Sequence, residues 1–178
     1  MIDKIKIWWK SKNMLTRFLL GFIILMLLFY AFYLSPLYED VIMIPLLSIQ
    51  AYLANLFLLP LGYKTMTMQD TIFNNDFRVS IKGGCDGMEA TALYIAAVLA
   101  FPNVSSQKKI RGLVMGVCIL FVLNLIRIAG LFVAGLKWKA GFEFLHLHGG
   151  VIIFTLMAIV LWLIWVNSLL KTDNAAVK

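Results

Sequence analysis

Long stretches without charge constrain this chain more than any other feature. Residues 17–34 carry no charge after Arg17. Past Asp86, residues 86–102 carry only Glu89, and 112–136 carry only Arg127. Residues 149–170 carry none. Each run is close to the ~20 residues that cross ~30 Å of hydrocarbon at ~1.5 Å per residue. The chain is 62% apolar and 14% charged, against about 25% charged in a soluble domain. The expected fold is an all-α, polytopic membrane helix bundle of four spans, with five as the alternative.

The net charge of +7 does not point to nucleic acid. Basic residues gather at the ends of apolar runs (Lys4, Lys6, Lys10, Lys12, Arg17; Lys108, Lys109, Arg111; Lys171). There they meet anionic headgroups of membrane lipids and set topology. The first apolar run has the basic lead of a signal peptide. It is longer than a typical apolar signal core, and Tyr33-Leu34-Ser35-Pro36 is no small-x-small cleavage site. It reads as a retained anchor.

The chain reads as one integral-membrane domain. A basic cytoplasmic lead (1–16) bearing Trp8 and Trp9 precedes a first span (17–35). Residues 36–82 hold an interfacial or re-entrant helix and an extracytoplasmic β-like segment. A helical core (83–170) and a cytoplasmic tail (171–178) follow. Segment 41–60 is apolar enough to span, but Gln50 and Asn55 need partners in lipid. Within 63–82, Thr65–Met68 and Phe77–Lys82 alternate around an Asn74-Asn75-Asp76 turn, which predicts two short strands. With the N-terminus inside, ten Lys/Arg fall inside and five outside for either span count.

Three features carry candidate chemistry. In Gly83-Gly84-Cys85-Asp86-Gly87-Met88-Glu89, Asp86 and Glu89 have capping-box spacing. That spacing predicts Asp86 as N-cap, with Cys85 just outside a helix start whose dipole favours thiolate. The bland alternative is a small residue in a tight turn. Asn124 and Arg127, three apart, share a helix face. An intramembrane arginine is costly and faces a partner; Glu89 is the structural candidate. Arg127 is expected roughly 13 Å below the outer end of its helix. His146-Leu147-His148 opens the last span. A thiol, an imidazole and a guanidinium on three spans can serve as nucleophile, base and oxyanion stabiliser. Cys85 and Cys118 have no dithiol spacing, and a metal site lacks ligands.

With these residues in order, the chain resembles the exosortase/archaeosortase family of membrane transpeptidases. The resemblance rests on Cys85-Asp86-Gly87, Asn124-Leu125-Ile126-Arg127 and His146. Gly84–Ala90 and Leu99-Ala100-Phe101-Pro102 look most like the exosortase H subgroup. Many relatives have a tryptophan shortly after the histidine, where this chain has Gly149-Gly150-Val151. His148 is a second candidate, with His146 preferred. The resemblance implies a cell-membrane cysteine transpeptidase or peptidase with its site on the extracytoplasmic side. Cys85, Arg127 and His146 would be catalytic, with Asn124, Gly87, Asp86, Glu89 and His148 supporting, and neither metal nor cofactor called for. Its partners would be exported proteins carrying a C-terminal motif, span and basic tail, and an unknown envelope acceptor. The alternative is a non-catalytic assembly or scaffold protein of envelope export. A quinone-coupled thiol oxidoreductase and a transporter fit less well.

Overall fold

A computed structural model describes residues 11–82, 84–144, 146 and 150–175. Helix α1 (Met14–Tyr33) begins at Asn13, whose side chain accepts from the Thr16 amide at 2.7 Å. It stops before Ser35-Pro36. A π-helical turn (Tyr38–Met43) leads into α2 (Ile44–Leu58). The widened turn sits just ahead of Pro45, whose ring removes a helical donor. A 3₁₀ turn (Leu59–Leu61) ends the helical run at Gly62, with φ +84°. Three strands follow: β1 (Met66–Met68), β2 (Thr71–Phe73) and β3 (Arg78–Ser80). Then come α3 (Met88–Ala100), α4 (Ser106–Lys137), α5 (Lys139–Phe144) and α6 (Gly150–Ala175).

The strands form an antiparallel sheet in the order β1-β2-β3, one strand more than the alternation predicts. The extra strand follows a two-residue turn at Gln69-Asp70, where Gln69 takes φ +52°. The second turn is as read: Asn74 Oδ1 accepts from the Asp76 and Phe77 amides.

Hydrogen bonds and close glycine contacts fix the relative depth of α1, α3, α4 and α6. Arg17 of α1 donates to Asn103, just past α3, and Gly21 lies against Ala100. At the other end, Tyr33 donates to Asp86. So α1 and α3 run antiparallel over the whole length from Arg17 to Tyr33. Helix α4 reverses direction again, with Gly112 against Trp165 and Gly116 against Tyr94, so close that a Cβ at either position would overlap the ring. Helix α6 starts beside Arg127 and ends past Trp165, parallel to α3.

Four helical stretches have the length and apolarity to cross a bilayer: Met14–Tyr33, Tyr38–Leu61, Ser106–Lys137 and Gly150–Lys171. The sequence reading also has four, but counts 86–102 and demotes 41–60. Helix α3 is thirteen residues, about 20 Å by itself, because Gly87 and Pro102 bound it. Segment 41–60 qualifies by length and hydropathy, and its polar residues also find partners within the protein, although Gln50 Oε1 has none among the described residues. Gln50 donates to the Asp86 carbonyl at 2.8 Å, and Asn55 accepts from Thr65.

Packing sets α2 against α4 and the sheet, apart from the core of α3 and α6. A lower core joins α3, α4 and α6 through Tyr94, Val98, Leu120, Phe154, Ala158 and Trp165. An upper core joins α2, the sheet and the far part of α4 through Leu47, Ala51, Leu58, Ile72, Ile128 and Phe132. Helix α4 has 32 residues, about 48 Å, well beyond ~30 Å of hydrocarbon. Its last ten residues run past the level where α1 ends, and α2 and the sheet cover them.

Candidate functional site

The site forms where the two cores meet. Gly84 (φ +84°) and Gly87 (φ +73°) bracket Cys85 and Asp86 in a tight turn ahead of α3. The turn is closed by the Cys85 amide donating to the Lys82 carbonyl at 2.9 Å. The N-cap of α3 is Gly87, with no side-chain cap, and not Asp86 as the capping-box spacing predicts. Asp86 acts from one residue earlier: its Oδ1 accepts from the Met88 amide at 3.2 Å. Its Oδ2 accepts from both Tyr33 and Tyr38 at 3.3 Å. With Gln50 on its carbonyl, Asp86 joins α1, the π-turn and α2 to the turn that carries the thiol. Glu89 lies in the first turn of α3, as acidic residues near a helix N-terminus do.

Cys85 is buried, 8% exposed. Its Sγ lies 3.7 Å from His146 Nδ1 and 3.5 Å from an Arg127 terminal nitrogen, Nη2. The other terminal nitrogen, Nη1, is 3.5 Å from both the Cys85 carbonyl and Asn124 Oδ1. The two contacts to oxygen are long for hydrogen bonds, whereas those to sulfur are ordinary for its larger radius; catalytic bonds commonly tighten only when substrate is bound. Arg127 is held on its other faces by the Phe154 ring, 5.3 Å from the guanidinium carbon, and by Gly150. It does not pair with Glu89: among the described residues no ion pair joins them, although both face one small cavity. Nor does Arg127 have to reach outward. The Cys85 turn sits at its level, because α4 overshoots the bundle above it.

His146 is stacked on Phe142 of α5, with centroids 5.3 Å apart and planes 9° apart. His148 lies outside the described residues. Asn124 is 2% exposed and packs against Gly87. Cys118 is exposed on α4, nine residues before Arg127, about 13 Å along the axis. Among the described residues no three of His, Cys, Asp or Glu converge as metal ligands do. A cavity of about 10 Å³ touches Cys85, His146 and Ile81. On the far side, Arg127 heads an apolar groove of about 330 Å³ between α4 and α6, lined by Leu123, Ile153 and Met157 among others.

The sequence reading does not pick out Tyr33, Tyr38, Phe142, Phe154 or Gly150 as parts of this site. Only Gln50 carries a signal, as a polar residue in an apolar helix. Gly87→Ala tests the turn. The added methyl must adopt a left-handed φ and would lie 3.0 Å from Asn124 Cγ. The expected result is a loss of about 1–2 kcal/mol from the backbone alone, measured by unfolding in detergent.

The fold and site define a class: a multi-pass membrane protein with a thiol, an imidazole and a guanidinium gathered at one end of its helix bundle. Residues 8–163 match the transmembrane exosortase family, of the EpsH type. The chain belongs to that family. No curated protein and no solved structure matches it.

Proposed function

We propose that this protein is a membrane cysteine transpeptidase that cuts the C-terminal sorting signal of exported proteins and passes them to an envelope acceptor. The observation that carries the reading is the position of Cys85 Sγ between His146 and Arg127. His146 takes the thiol proton, and the sulfur attacks the scissile carbonyl. Arg127 stabilises the oxyanion. The C–N bond then breaks, His146 protonates the leaving amine, and a thioester remains on Cys85. An acceptor nucleophile attacks the thioester and restores the thiol.

Family membership supports protein clients with sorting signals. The groove headed by Arg127 is where a client's apolar span would approach from the lipid. The cavity at Cys85 is far too small for a peptide, so entry requires β3 or His146 to shift. On the positive-inside rule, the Arg17 and Lys109 end is cytoplasmic and the Cys85 end extracytoplasmic.

Hydroxylamine, a small amine nucleophile, tests the acyl-enzyme. Purified protein in detergent is given a tagged client and hydroxylamine. The expected product is the client's N-terminal part ending in a hydroxamate, read by mass. A cut client that ends only in a free carboxylate at every hydroxylamine concentration overturns the thioester route.

A further inference from the structure

At the end of the bundle opposite Cys85 lies a cavity of about 410 Å³. It sits between α1, the loop after α3 and the start of α4. Its polar rim holds Arg17, Asn103 and Lys109, and its apolar wall holds Ile24, Leu25 and Leu99. No described lining residue is a carboxylate. Arg17 spends one terminal nitrogen on Asn103 at 3.1 Å, while its buried Nε has no partner. Lys109 gives one hydrogen bond to the Leu99 carbonyl, leaving two of its three donors.

Two cations with unspent donors therefore face a cavity whose floor is apolar. The same wall includes Phe101, which meets Trp162 edge-on at 6.0 Å and Trp165 at 5.8 Å. Arg17, Lys109 and Arg111 gather at this end of the bundle, at the ends of apolar runs, where basic residues meet lipid headgroups, so the cations lie at phosphate depth. Ile24 and Leu25 are two turns further along α1, about 10–12 Å deeper, where acyl chains lie.

We infer that this cavity is a binding site for one anionic phospholipid. Its phosphate sits between Arg17 and Lys109, and its chains run over Ile24 and Leu25. The site is separate from the thiol chemistry and does not depend on the proposed reaction.

The test is native mass spectrometry of the full-length protein released from bilayers of phosphatidylglycerol mixed with phosphatidylcholine. Wild type should retain phosphatidylglycerol in preference to phosphatidylcholine. Arg17→Gln with Lys109→Gln should weaken that retention about thirtyfold, the effect of two surface charges. Arg111→Gln, at the same end but off the cavity, should leave it unchanged. Equal retention by the folded double variant, or equal retention of both lipids by wild type, overturns the site. Displacement of the lipid by millimolar inorganic phosphate makes it a free-anion site and overturns the lipid assignment. If the double variant does not fold, each single substitution carries the same comparison.

Discussion

Cys85→Ala should abolish client processing, lowering turnover by about 10⁴-fold or more, while Cys118→Ala processes normally. The two thiols differ in everything the proposed chemistry requires. Cys85 is buried between an imidazole and a guanidinium. Cys118 faces outward from α4, nine residues down the helix from Arg127. Because the alanine side chain is smaller and needs no partner, the variant should fold, and its loss can be assigned to chemistry. The assay follows one tagged client by mass and gel mobility in cells carrying each form. A client that loses its C-terminal span normally with Cys85→Ala removes the nucleophile from the mechanism, and the chain is then better described as an assembly or scaffold protein. Failure of Cys118→Ala alongside Cys85→Ala would instead favour a dithiol route.

What the sequence makes legible follows from the range of each interaction. Apolar runs are local, and α1, α4 and α6 lie where the runs place them. The end points of α3 are not, since they depend on Gly87 entering a left-handed conformation against Asn124. Gln50 looks like a penalty in an apolar helix because its partner, the Asp86 carbonyl, is 36 residues away. Strand β2 is hidden because Gln69-Asp70 is not a turn pair that composition announces. For the site, the ordered motifs name Cys85, Arg127 and His146, but neither their distances nor their supports. Asp86 shows this best: local spacing makes it a cap, whereas in the fold its side chain and carbonyl tie α1, the π-turn and α2 to the thiol turn. Glu89 shows the converse, a carboxylate at plausible spacing that Arg127 does not use.

The second large effect is expected from Gly150→Ala, a residue that carries no functional group. The backbone of α6 at Gly150 lies so close to the Arg127 guanidinium that an added Cβ would overlap it. The obstructing atoms are the end of a flexible side chain, so the fold can absorb the change by moving Arg127. That movement is the cost. The guanidinium is fixed at present by Gly150, Phe154, Asn124 and the Cys85 carbonyl. Pushed from Gly150, it must leave its place beside Cys85 Sγ. Loss of one oxyanion donor lowers turnover about 10²–10³-fold, and Gly150→Ala should approach that figure with little change in unfolding midpoint. Arg127→Ala should fall by a similar factor, and combining the two should add almost nothing, because both remove the same contact. Full additivity would mean that Gly150 acts on something other than Arg127. A Gly150→Ala protein that turns over its client at the wild-type rate would show that the guanidinium's present position is not the one used in the reaction.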